Sequence, residues 1–210
     1  MYIDRPLKEY LDELGAKRPA PGGGSAAALA ASIGTSLLSM VAEYSTGKGA
    51  GKGADKRVSA VLGKVKGFDS ELRRLIDEDA ESYGKLVNGL KTAKAARDTA
   101  AADELYKSAI EPPFLVCEIT RKCMDLCMEL AQIGNENLIT DTAIAAIMLE
   151  GAFQSARFNV YINLGCVKDT DYISKAHNVI RGLEEMMPKL KEDILERCEE
   201  VIRGAGGAVK

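Results

Sequence analysis

Tryptophan is absent, and aromatic residues make up only 5% of the 210 positions. A core must therefore come from Ala, Leu, Ile, Val and Met, which favour helix packing over a β-sandwich. There is one histidine, and none of the five cysteines (Cys117, Cys123, Cys127, Cys166, Cys198) forms a Cys-x-x-Cys pair. That argues against a structural zinc site. The odd cysteine count and the lack of a signal peptide point to a reducing cytosol, so a cytoplasmic protein is expected, with the cysteines as small apolar core residues. Excess charge of one sign is missing too. With 28 basic against 31 acidic residues the net charge is −3, and nucleic-acid binding lacks its usual electrostatic footprint. No Walker loop, no G-x-G-x-x-G after a strand and no zinc-deaminase signature occurs.

What is present reads as helix. Hydrophobic residues reach 46% and charged ones 28%, enough for a real core and a polar surface. Leu7, Tyr10, Leu11 and Leu14 give a short amphipathic helix over Pro6–Leu14. From Pro19 to Ala42 no charge occurs, long enough to cross a bilayer. The stretch opens on Pro-Ala-Pro-Gly-Gly-Gly, however, and is mostly Ala, Ser, Gly and Thr. It predicts a buried small-residue helix, capped by Ser25 and running to about Tyr44. Such a helix belongs at the centre or at a subunit interface, because small side chains let backbones approach closely. Gly47–Gly53 follows as a basic loop.

A second long helix is expected from about Asp55 to Leu90 or a little beyond, with a stripe running from Val58 through Tyr83, Leu86 and Val87. Pro112-Pro113 should interrupt the next helical stretch, leaving a third helix over about Phe114–Ala131. Gly134–Asn137 reads as a turn. Thr140 or Asp141 would cap a helix to about Asn163, and a last helix would cover about Asp171–Ile202 with Pro188 as a kink or new first turn. No strand-length alternation and no fixed repeat occurs. The expectation is an all-α fold, a single-domain bundle of long helices over 1–203 with no sheet, and a frayed tail over 204–210.

Four features bear on chemistry. On a helical wheel Asp79 falls within the apolar stripe, three residues after Ile76 and seven before Leu86, whereas Asp77, Glu78 and Glu81 fall toward solvent. An inward carboxylate is costly unless it is hydrogen-bonded, paired or functional. Burial would raise its pKa into a range suited to proton transfer. A structural role, capping a neighbouring helix or pairing with a base, is the other reading. Gly22, Gly23 and Gly24 before a helix start let a ligand approach first-turn N–H groups, or simply form a hinge. Asn159 and Asn163 share a helix face, where Asn is a poor helix former. They suggest pairing with a polar ring system or a neighbouring backbone, while Asn135 and Asn137 fit a plain turn. Lys48, Lys52, Lys56 and Arg57 form a basic cluster, a solvated loop or a steering patch for an anionic tail. His177 sits in a polar helix, so acid/base chemistry would fall to carboxylates.

Three ordered blocks carry a family resemblance. Pro19-Ala20-Pro21-Gly22-Gly23-Gly24-Ser25 and its small-residue helix come first, then Asp77-Glu78-Asp79-Ala80-Glu81-Ser82-Tyr83. The third block is Gly134-Asn135-Glu136-Asn137-Leu138 with Thr140-Asp141, Ala145-Ala146 and Asn159-Val160-Tyr161-Ile162-Asn163-Leu164. Together they resemble the cyclodeaminase/cyclohydrolase family, which corresponds to the C-terminal domain of formiminotransferase-cyclodeaminase and its stand-alone bacterial relatives. The resemblance implies an all-helical fold, a homodimer and a tetrahydrofolate substrate in a groove. Asp79 would be the proton donor and acceptor. Gly22, Gly23, Gly24, Ser25, Asn135, Asn137, Asp141, Asn159 and Asn163 would bind substrate. No metal or organic cofactor is implied, and neither nucleic acid nor membrane is an expected partner. The glycine-studded stretch 47–53 is looser than the family's usual segment. The leading expectation is formiminotetrahydrofolate cyclodeaminase; the alternatives are methenyltetrahydrofolate cyclohydrolase on the same site and a non-catalytic helical dimer. Glu118 is either a second carboxylate or a surface residue.

Overall fold

Small residues recur along one segment of the chain, and that segment becomes the axis of the molecule. In the computed structural model, which describes residues 1–47 and 53–206, helix α2 (Gly23–Ser45) packs against α3 (Ala54–Ala96), α4 (Thr99–Ile133) and α5 (Ile139–Leu164). Its buried side is Gly24, Ala27, Ala28, Ala31, Gly34, Leu38, Val41 and Ala42. A Cβ on Gly34 would sit 2.9 Å from Leu149 Cγ, so close approach of α2 and α5 requires glycine there. By length and composition α2 passes for a membrane span, but its small-residue side faces other helices. The short α1 (Leu7–Leu14) lies ahead of it, a 3₁₀ turn (Glu136–Leu138) precedes α5, and α6 (Thr170–Gly206) packs on α4 and α5. Among the described residues the fold is six α-helices with no strand. One apolar core runs through it, from Tyr10 to Cys198.

At 43 residues, α3 spans about 65 Å. Its buried stripe of Val58, Val61, Val65, Leu72, Leu75, Ile76 and Leu86 follows the helical period. Tyr83 and Val87, expected on that stripe, are exposed (Tyr83 45%). Asp77, expected toward solvent, is buried at 4% exposure. It accepts hydrogen bonds from the backbone N–H groups of Tyr2 and Ile3, because the N-terminal segment folds back over this part of α3. A helical wheel cannot register such a covering strap.

The prolines do not interrupt α4, contrary to expectation: the helix runs through both Pro112 and Pro113, which are buried. Each removes one N–H from the ladder, Pro112 that of the Ser108 carbonyl and Pro113 that of the Ala109 carbonyl. The Asn163 side chain on α5 donates to the Ala109 carbonyl at 3.3 Å. Packing from neighbouring helices, together with this side-chain donor, overrides the local penalty. α4 starts instead at Asp98, whose carboxylate accepts from the Ala101 N–H at 2.9 Å. The last helix likewise continues through Pro188 and reaches Gly206, past the start of the expected frayed tail; residues 207–210 lie outside the described residues.

Helix caps differ too. Gly22, not Ser25, is the cap residue of α2. Ser25 lies inside the first turn, fully buried, with its hydroxyl 3.1 Å from the Tyr10 hydroxyl. Neither Thr140 nor Asp141 caps α5, which starts beyond Leu138; both sit in its first turn.

Candidate active site

Helix α2 begins against the middle of α3, where Asp79 meets it. The Asp79 carboxylate accepts the Ser25 backbone N–H at 2.8 Å. The structural reading of this residue, as a cap on a neighbouring helix, therefore holds: it satisfies an otherwise unpaired donor of a helix N-terminus; it also lines a groove. A Cβ on Gly24 would fall 2.0 Å from Asp79 Oδ1. The glycine is needed so that the carboxylate, not a ligand, can approach the α2 backbone. Gly22 has open space around it, and Gly23 faces the Asn159 amide.

The groove has a volume of about 340 Å³, within the range usual for small-molecule sites. Pro19, Ala20 and the three glycines form one wall; Asp79, Ala80, Ser82, Tyr83 and Leu86 of α3 form another. Ala109 of α4 and Asn159, Ile162 and Asn163 of α5 close it. Among the described residues no Lys, Arg or His lines it, and the carboxyl that does is that of Asp79. Burial pushes the Asp79 pKa up, and the Ser25 N–H opposes this by stabilising the ionised form; the net direction is upward.

Both asparagine amides are turned the same way. Asn159 Nδ2 donates to the Ser155 carbonyl at 3.2 Å, and Asn163 Nδ2 donates to the carbonyls of Asn159 at 3.1 Å and Ala109 at 3.3 Å. Only the nitrogen end of an amide can meet a carbonyl, so the chemistry of the partners fixes the orientation.

Among the predicted site residues the structure brings Gly22, Gly23, Gly24, Asp79, Asn159 and Asn163 to the groove, with Ser25 directly behind Asp79. Asn135, Asn137 and Asp141 are not among the residues that line it. They lie at the opposite end of α2, roughly 30 Å away along that helix. There the Asn135 N–H donates to Ser45 Oγ at 2.8 Å, and Asn135 Oδ1 accepts the Asn137 N–H at 3.1 Å. Sequence reasoning missed Ser82 and Ile162 on the groove wall. Ser82 follows Asp79 by three positions and Ile162 lies between the two amides, so i, i+3 spacing from the chosen residues was the available signal. Lys48 and Lys52 lie outside the described residues. Lys56 is exposed, Arg57 pairs with Glu129 at 2.9 Å, and Glu118 does not line the groove. The exposed His177 stacks on Tyr161 at 5.2 Å. Four cysteines are buried as core residues, while Cys166 is exposed. A larger cleft of about 580 Å³ between α4 and α6, lined by Lys107, Phe114, Tyr172 and Val179, holds none of the predicted site residues.

Fold and site together define an all-α protein with a carboxyl set in an amide-lined groove. The family model described as formiminotransferase-cyclodeaminase matches residues 6–182, and the chain belongs to that family of enzymes. Methenyltetrahydrofolate cyclohydrolase of Methylorubrum extorquens is 29% identical over 201 residues, covering 93% of this chain and 97% of that protein. Formimidoyltransferase-cyclodeaminase of Rattus norvegicus is 31% identical over 186 residues, covering 86% of this chain but 34% of that protein. The chain thus spans about a third of the length of the formimidoyltransferase-cyclodeaminase relatives. Among solved structures, formiminotetrahydrofolate cyclodeaminase from Thermotoga maritima superposes with a TM-score of 0.79 at 23% identity. The match covers 96% of this chain and 97% of that one, and it shows the fold.

Proposed function

We propose that this chain is a formiminotetrahydrofolate cyclodeaminase, closing 5-formiminotetrahydrofolate to 5,10-methenyltetrahydrofolate with release of ammonia. The observation that carries the reading is the half-buried Asp79 carboxyl, raised in pKa, in a groove that no basic side chain lines among the described residues. The protonated formimino carbon is attacked by N10, giving an aminal on which N10 carries an extra proton. Asp79 takes that proton and returns it to the amino nitrogen. Ammonia leaves, and the methenyl cation remains. One proton moves from N10 to Asp79 and on to the leaving nitrogen, and none is gained or lost overall. The folate is cationic at the start and at the end and neutral only while Asp79 holds the proton. A carboxylate without competing cations stabilises such charge in a partly desolvated groove. A carboxyl that titrates above its ordinary range is also better matched to accepting and donating near neutral pH. Ring closure is intramolecular, so holding N5 and N10 in register supplies much of the rate. That is the role assigned to Asn159 and Asn163. The chemistry calls for no cofactor.

A second reading rests on the near full-length likeness to the M. extorquens cyclohydrolase. Water would add to the methenyl carbon and the ring would open to 10-formyltetrahydrofolate, with Asp79 as the base. Methenyl absorbance separates the two. Under the proposal it grows when the chain meets 5-formiminotetrahydrofolate, and it decays no faster than the uncatalysed control when the chain meets 5,10-methenyltetrahydrofolate. Enzyme-dependent decay alone reverses the assignment, and no change with either substrate sinks both.

A cytosolic homodimer is part of the same proposal. Ile33 on α2 and Ile144, Ile147, Phe158 and Ile162 on α5 are exposed apolar residues, Phe158 at 62% and Ile162 at 70%. On α5 they form a row at helical spacing that ends at the groove. A second copy is the occupant proposed for that face. Sedimentation equilibrium at micromolar concentration is expected to give twice the 22.5 kDa chain mass; the mass of a single chain would refute it.

A further inference from the structure

Two adjacent prolines in the interior of a long helix are expensive, about 3 kcal/mol each relative to alanine. The two differ in what they release. Pro112 leaves the Ser108 carbonyl without its helical donor, on the side of α4 that faces the cleft with Lys107 and Tyr172. Pro113 leaves the Ala109 carbonyl free, on the side that lines the Asp79 groove. The freed Ala109 carbonyl is the one that receives Asn163 Nδ2 at 3.3 Å, while the Asn159 carbonyl receives it at 3.1 Å. With both carbonyls calling on the nitrogen, the amide is held by its N–H end. Asn163 Oδ1 accepts no hydrogen bond from the described residues and is left as a free acceptor at the groove.

We propose that Pro113 is a positioning residue: by withholding its helical N–H it leaves the Ala109 carbonyl to hold the Asn163 amide, with the Oδ1 acceptor presented to the ligand. The inference rests on the folate reading of the groove. It adds that the ligand atom opposite Asn163 is an N–H donor, such as the amino-pyrimidinone edge of a reduced pterin provides. An alanine at 113 restores the helical bond to Ala109. The restored N–H competes with Asn163 Nδ2 for the Ala109 carbonyl, so one of the two bonds that hold the amide weakens and the amide is held less firmly.

The test is Pro113→Ala, with Pro112→Ala as the control for simply removing a helix proline. Both variants regain a backbone hydrogen bond, so both should fold and melt no lower than the parent chain. For Pro113→Ala we expect KM to rise about tenfold with kcat within about twofold, and 5-formyltetrahydrofolate, a stable analogue, to bind about tenfold more weakly by calorimetry. Pro112→Ala should leave both constants unchanged. In a double-mutant cycle Pro113→Ala should add nothing to the loss caused by Asn163→Ala. Equal effects of the two proline variants, an unchanged KM in Pro113→Ala, or additive losses in the cycle would each overturn the proposal. If the parent chain binds no reduced folate, the functional reading fails on its own. The Asn163 side-chain N–H resonances still decide the positioning claim: slow hydrogen exchange in the parent lost only in Pro113→Ala supports it, and no difference between the two refutes it.

Discussion

Asp79→Asn should lower kcat by about 10²- to 10⁴-fold, the span usual for losing a general acid/base, while leaving the fold intact. Asparagine keeps an oxygen that can accept the Ser25 N–H, so the cap on α2 survives the change. A purely structural Asp79 would then leave turnover almost untouched, and that result would remove the residue from the mechanism. The pH dependence gives a second check. Burial raises the folded-state pKa of Asp79 above its ordinary 3.8. A carboxyl raised in the folded state favours folding most below the unfolded pKa, and that advantage is lost as pH rises through the folded value. At neutral pH the buried charge is therefore a cost, and Asp79→Asn should melt at the same temperature or higher. The difference should shrink as pH falls through the native pKa toward 3.8. For the parent chain kcat should rise with pH through that same raised pKa, because in the proposed mechanism the ionised form takes the N10 proton. Asp79→Asn should lack the step. Melting scans and rate profiles over the acidic range measure both.

Gly24→Ala is the second large effect. The new methyl would lie 2.0 Å from Asp79 Oδ1 and 2.5 Å from its Cγ, distances that no packing tolerates. The carboxyl must swing out and lose the Ser25 N–H. Losing a hydrogen bond to a charged group costs about 1.5–3 kcal/mol, and alanine returns at most about 1 kcal/mol of helix propensity. A net loss of about 1 kcal/mol corresponds to a melting point lower by about 2–4 °C for a domain of this size. Activity should fall by at least about 100-fold, because the displaced carboxyl would no longer reach the nitrogens between which the proposed mechanism has it carry a proton. Gly67→Ala, also a helical position but with open space around it, should be slightly more stable and fully active. An active Gly24→Ala would mean that the position of Asp79 does not matter to the chemistry.

Much of the site was readable in the chain. The α3 stripe placed Asp79 on an inward face, and the expectation met a real groove because the stripe follows one helical period over a long distance. The same wheel misplaced Asp77 and Tyr83. Asp77 is covered by the N-terminal strap, and Tyr83 borders the opening instead of the core. Neither fact has a periodic signature. The glycine run was also visible, but not its cause, since the group that approaches Gly24 is supplied by a helix more than fifty residues later. Pro112-Pro113 read as a break because local sequence shows the missing N–H groups and not the Asn163 amide that replaces a donor from another helix.

From the amino-acid order alone came the all-helical class, the central small-residue helix and the inward Asp79, because each depends on spacing within one element. Tertiary structure alone decided which motifs meet. A helical period gives the face a residue occupies; it does not say which ends of two helices abut. α5 is long enough to hold Asn159 and Asn163 beside the start of α2 while its beginning, with Asn135, Asn137 and Asp141 nearby, sits at the end of α2. One sequence block was therefore split between two sites roughly 30 Å apart, and only the packing of the helices set that division.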